Sequence, residues 1–178
     1  MSRNKIIIHI LRFVVFVLIQ GLVLNHVNIY GYINPLLYVM FILLLPFEMS
    51  RPLTLILAFL LGYSVDLFSG TPGMHAAASV FVAFLRPYFI NTIMKREEDE
   101  VDSEPTLSAI GFRKMLYFSI VLVLIHHLVF FFIEAFRISE ILQTTIRALL
   151  SSVFTILMIV LIQFLFFSKS KTRSKFKR

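Results

Sequence analysis

Gly62-Tyr-Ser-Val-Asp66-Leu-Phe-Ser-Gly70-Thr-Pro72-Gly73-Met-His75-Ala-Ala-Ala78 decides how the rest of the chain is read. It sets an aspartate and a glycine-rich reversal between two apolar segments. A carboxylate within a membrane helix is expensive and is kept for a reason. Gly70-Thr71-Pro72-Gly73 cannot continue a helix, so a turn of a few residues is expected there. Gly62, Asp66 and Gly70 recur one turn apart and share a helix face. Glycines at that spacing admit a close neighbour, which would turn the carboxylate into a bundle rather than into lipid.

Composition supports the membrane setting. The 178 residues are 58% hydrophobic, include 20 Phe and have a mean hydropathy of +0.88. A soluble domain of this length has too little interior for that much apolar surface. A spanning helix needs about 20 mostly apolar residues. The fold expected is all-α, a polytopic transmembrane helical bundle of about six spans, at 6–24, 29–47, 52–68, 74–94, 115–136 and 139–167. Pro35 suits the start of the second span and Pro46 its end. Residues 1–168 form one integral membrane domain in this reading, and 169–178 a basic cytoplasmic tail. The apolar run after Lys5 lacks a small-residue cleavage site and reads as an uncleaved first span. With no cysteine, disulfides and thiolate metal sites are excluded.

Charge gives an orientation. With the N-terminus inside, Arg3, Lys5, Arg51, Lys95, Arg96, Arg113, Lys114 and the tail from Lys169 to Arg178 are cytoplasmic, while Arg137 alone occupies an outer loop. That asymmetry predicts six spans with both termini cytoplasmic. The tail is expected to bind anionic lipids, at about 1 kcal/mol per basic residue. It accounts for the net charge of +7 without a nucleic-acid partner. The acidic stretch Glu97–Glu104 reads as a solvated cytoplasmic linker, with a docking site for a cytosolic partner as the alternative.

Polar residues inside the spans are the candidate functional groups. Asp66 is either an acceptor that fixes the turn after its helix or a partner- or substrate-binding group. Depth allows a charge pair of Arg147 with Asp66 or with Glu134. His126 and His127 are adjacent, so they point about 100° apart and lack the i, i+4 spacing of a helical zinc site. Buried, hydrogen-bonded histidines are expected there, and His75 is expected to cap a helix or sit at an interface. Arg86 precedes Pro87 and is expected to snorkel toward the cytoplasmic side. No catalytic set, cofactor site or metal site is assembled from these residues.

The stretch from Leu57 to Ala77 resembles the signature of the rod shape-determining MreD family, in which Gly-x3-Asp-x3-Gly precedes a Pro/Leu-Gly and then His-Ala. Phe84-Leu-Arg86-Pro87 and Asn34-Pro35 are similar to the Bacteroidetes-type members. The likeness covers about 30 residues; the second half, His126 to Glu134 included, has no specific match. The resemblance implies a non-enzymatic subunit of the cell-elongation (Rod) complex in the bacterial inner membrane, supporting cell shape and lateral peptidoglycan synthesis. Its implied partners are an MreC-like bitopic protein, the MreB filament and the RodA–transpeptidase pair. It implies a fold like the membrane substrate-binding subunits of energy-coupling-factor transporters. Gly62, Asp66, Gly70, Pro72, Gly73 and His75 would then shape a partner-facing region. The rival reading is a solute-binding subunit of such a transporter, with an outward-facing pocket near Asp66 and Arg147. It would need several hydrogen-bonding side chains from different elements.

Overall fold

The computed structural model describes residues 3–27, 32–93 and 104–167. The tail 169–178 and the acidic residues 97–103 lie outside the described residues. Among the described residues there are seven α-helices: α1 (Arg3–Leu22), α2 (Val39–Leu44), α3 (Arg51–Ser69), α4 (Met74–Ile93), α5 (Leu107–Ile110), α6 (Phe112–Ala135) and α7 (Ile141–Phe167). No β-strand occurs among the described residues.

Helices α1, α3, α6 and α7 are long and apolar enough to cross a membrane, which marks the chain as a membrane protein. Their outward faces are consistent with that. Ile7, Leu11, Phe59, Leu67, Leu157 and Leu165 are all exposed. A continuous apolar surface on this scale belongs in lipid or against another protein. Helix α4 is the central element, packed between α3 and α6, while α1 lies against α3 and α7 against α6. The small residues Ala76, Ala78, Ser79 and Ala83 form its buried stripe, which lets neighbouring backbones approach.

The apolar run at 29–47 does not form the long helix expected of it. Among its described residues only Val39–Leu44 is α-helical. Pro35 and Pro46 explain the outcome. Each interrupts the ladder of N–H bonds, and the ten residues between them would rise only about 15 Å as a helix. Leu36 to Leu45 are nevertheless at most 3% exposed. A helix apolar on every side belongs in the middle of a structure, and α2 packs against α1, α4 and α6.

The direction of this segment follows from its neighbours. The Asn25 amide donates to Ser69 Oγ at 2.7 Å, so α1 and α3 end together. The chain between them therefore returns through the bundle to the far end, where α3 begins at Arg51. Non-helical residues advance about 3.3 Å each against 1.5 Å in a helix, so a broken segment covers more depth than α2 could alone. Arg86 also departs from expectation. It does not reach the surface but is 2% exposed, with Nη2 donating to the Leu45 carbonyl just past the end of α2.

Candidate functional site

The α3–α4 hairpin is built around Asp66. The Asp66 carbonyl accepts from Gly70 N–H at 2.9 Å and from Thr71 N–H at 3.3 Å, closing α3. Gly70 is left-handed at φ 66°, a conformation glycine adopts without a Cβ penalty. The Asp66 carboxylate then starts α4. Oδ1 accepts from Thr71 Oγ1 at 2.9 Å and His75 N–H at 3.0 Å, and Oδ2 from Ala76 N–H at 3.0 Å. A carboxylate on the free N–H groups of a helix start is favoured by hydrogen bonding and by the helix dipole. One residue thus ends one helix and caps the next.

Gly62 makes the close approach that this requires. A Cβ there would lie 2.5 Å from both Ala76 Cα and the His75 carbonyl oxygen. Gly70 differs, since nothing stands near its missing side chain and its role is conformational. Gly70, Pro72 and Gly73 form the exposed tip, whereas Gly62, Asp66 and His75 are buried. Of the six signature residues Gly62, Asp66, Gly70, Pro72, Gly73 and His75, only those at the tip are therefore available to a partner. Of the two charge pairings, the structure contains Arg147–Glu134 at 3.2 Å, with Arg147 also 4.9 Å above the Phe131 ring. Asp66 is engaged by the hairpin instead.

Beneath the hairpin lies a buried polar cluster. The Tyr38 hydroxyl is 3.1 Å from His75 Nδ1 and 2.8 Å from His126 Nε2. One hydroxyl carries one proton, so it donates to one ring and accepts from the other. The His75 ring also stacks on Phe130, with centroids 4.3 Å apart. His127 belongs to a second chain. Its Nδ1–H donates to the Val123 carbonyl at 2.9 Å. That leaves Nε2 to accept from Thr155 Oγ1 at 3.1 Å. Thr155 Oγ1 in turn accepts from Leu36 N–H at 3.1 Å. The adjacent histidines are thus buried and hydrogen-bonded in different directions. Among the described residues, no group of three or more His, Asp or Glu side chains converges into a metal-ligand set.

Several polar residues that matter here were not singled out from the sequence. Gln20 Nε2 donates to the Pro35 carbonyl at 3.1 Å and its Oε1 accepts from Tyr38 N–H at 3.4 Å. Ser151 Oγ accepts from Asn34 N–H at 3.0 Å. With Thr155, these groups satisfy the non-helical backbone before α2. Irregular backbone at membrane depth is tolerated only where protein or water meets such needs. The readable signal was the buried polar stripe Thr144, Ser151, Ser152 and Thr155 on α7.

The polar interior opens at the hairpin end into a cavity of about 340 Å³. Gln20, Asn25, Asn34, Thr71, His75 and Glu134 line it, with Phe68 and Phe130 as aromatic walls. Hydrogen-bonding groups thus come from the α1 end, the broken segment, the hairpin and α6. No protein-family model, curated protein or solved structure matches this chain.

Proposed function

We propose that this protein is a non-enzymatic scaffold subunit of the bacterial cell-elongation machinery, holding an MreC-like bitopic protein in the inner membrane and supporting lateral peptidoglycan synthesis. The observation that carries this reading is the unity of the signature. Gly62, Asp66, Gly70, Gly73 and His75 form one interlocked hairpin, with Gly62 against the backbone whose N–H groups Asp66 holds. Those residues build a rigid presenting element whose tip, at Gly70, Pro72 and Gly73, faces outward. The long apolar faces of α1, α3 and α7 offer surface for partner spans.

In this proposal the chain crosses the membrane six times, through α1, the broken segment around α2, α3, α4, α6 and α7, with both termini cytoplasmic. The Asn25–Ser69 bond supports the return passage between α1 and α3, and the distribution of Lys and Arg supports the orientation. Elongation partners such as MreB, RodA and its transpeptidase would be reached directly or through the MreC-like protein.

A second reading, a solute-binding membrane subunit of an energy-coupling-factor type transporter, is favoured by the cavity at the hairpin end. Its volume and mixture of aromatic walls with polar groups from separate elements fit a small ligand. Affinity purification of the tagged protein from its native membrane, with mass spectrometry of what accompanies it, separates the two. The scaffold reading predicts an MreC-like protein and peptidoglycan-synthesis enzymes, depleted in Asp66→Ala. Recovery of ATP-binding-cassette subunits instead would overturn it in favour of the transporter.

A further inference from the structure

At the opposite end of the bundle from the hairpin, α3 begins beside a second cavity of about 280 Å³. Glu48, Ser50, Arg51, Thr54, Arg86 and Asn91 supply its polar lining. Three observations there converge on one ligand chemistry. The first is the start of α3. Its first intrahelical bond runs from Thr54 N–H to the Ser50 carbonyl at 3.0 Å, and the Ser50 side chain makes no capping hydrogen bond to the N–H groups before it, which Arg51 and Leu53 supply because Pro52 has none. Uncapped N–H groups and the positive end of a 19-residue helix attract an anion.

The second observation is Arg86. It is 2% exposed and lines the cavity. Its Nη2 is held by the Leu45 carbonyl, while Nε is buried without a hydrogen-bond partner. Arg86 takes part in no ion pair among the described residues. A carbonyl dipole satisfies one donor of a guanidinium but does not neutralise its charge, and a buried charge calls for a counter-ion. The third is Arg51 at the cavity mouth. It is exposed and lies 6.0 Å above the Tyr88 ring. Glu48, also exposed, lines the same mouth. Two guanidinium groups and a helix start outweigh its one carboxylate.

We infer that this cavity is a binding site for a phosphate group, held by Arg86 from within, by Arg51 at the mouth and by the N–H groups that open α3. Guanidinium forks match phosphate oxygens in geometry, and charge-assisted bonds of this kind are the strong ones. The phosphate comes either from an anionic lipid headgroup or from a soluble phosphate, and both present the same oxygens to these donors.

The test uses the full chain purified in neutral detergent and reads the midpoint of thermal unfolding. Three probes are added separately: short-chain phosphatidic acid, short-chain diacylglycerol without phosphate, and inorganic phosphate. The inference predicts that phosphatidic acid raises the midpoint and diacylglycerol does not. It predicts that the concentration required rises on the order of tenfold in Arg51→Gln and in Arg86→Lys, as expected for the loss of a charge-assisted hydrogen bond. A matching, variant-sensitive rise with inorganic phosphate assigns the site to soluble phosphate, and a rise with the lipid alone assigns it to a headgroup. Binding by the basic tail is common to all variants, so it drops out of the comparison. If Arg86→Lys does not fold, exposed Arg51→Gln carries the test. No rise with either phosphate probe, or a rise unchanged in the variants, overturns the inference.

Discussion

Residues 70–73 and residues 33–38 both break the run of α-helices in this bundle, and they are held by opposite means. The α3–α4 turn is self-contained. Asp66 ends one helix with its carbonyl and starts the next with its carboxylate, all within ten residues. The stretch before α2 supplies almost nothing for itself. Its backbone depends on Gln20 of α1 and on Ser151 and Thr155 of α7, more than a hundred residues later. The first device gives a hairpin that can form early and alone, because its contacts close a short loop. The second is complete only when α7 docks, so it ties the first third of the chain to the last.

The contrast can be broken at either end. Asp66→Ala has the largest expected effect. It strands the His75 and Ala76 N–H groups and the Thr71 hydroxyl, and about 3 kcal/mol of stability is expected to be lost. Thermal unfolding in detergent measures it. Asp66→Asn retains acceptor capacity on one side-chain oxygen and should lose less. Gly62→Ala should follow at about 1–3 kcal/mol, because the added methyl meets helix backbone rather than a movable side chain.

Thr155→Val tests the non-local device. It leaves Leu36 N–H and His127 Nε2 without their partner at nearly constant volume, for an expected loss of about 1–3 kcal/mol. Combined with Asp66→Ala it should be additive, since the two devices share no hydrogen bond. The smallest effect is expected at Glu134–Arg147, where both side chains are partly exposed, 34% and 23%. Glu134→Gln should cost less than about 1 kcal/mol. In double-mutant cycles Arg147→Gln should couple to Glu134→Gln and not to Asp66→Asn. Coupling to Asp66 alone would show the pairing to be wrong.

The same contrast explains what the sequence disclosed. The hairpin was legible because each group it uses is near in sequence. Gly62, Asp66 and Gly70 announce themselves by spacing, and the turn by its glycines and proline. The long helices were legible too, since apolar runs of 19 residues or more leave little choice in lipid. The 29–47 run was misread because apolar composition does not separate a lipid-facing helix from a broken segment buried by its neighbours. Pro35 and Pro46 stand too close together for one continuous spanning helix, and that spacing is the evidence against it. Gln20 and Thr155 were illegible individually, because a polar residue in a span acquires its purpose from backbone far away in sequence. Arg86 was read as snorkelling because nothing local reveals the Leu45 carbonyl.

Hydrogen–deuterium exchange over residues 32–38 and 66–76, in the wild type and in Thr155→Val, tests most directly whether these stretches are held by separate means. Both should be protected in the wild type. In Thr155→Val the 32–38 segment should exchange faster while 66–76 stays as it was. Rapid exchange of 32–38 in the wild type, or an equal response of both segments to the substitution, would contradict the account.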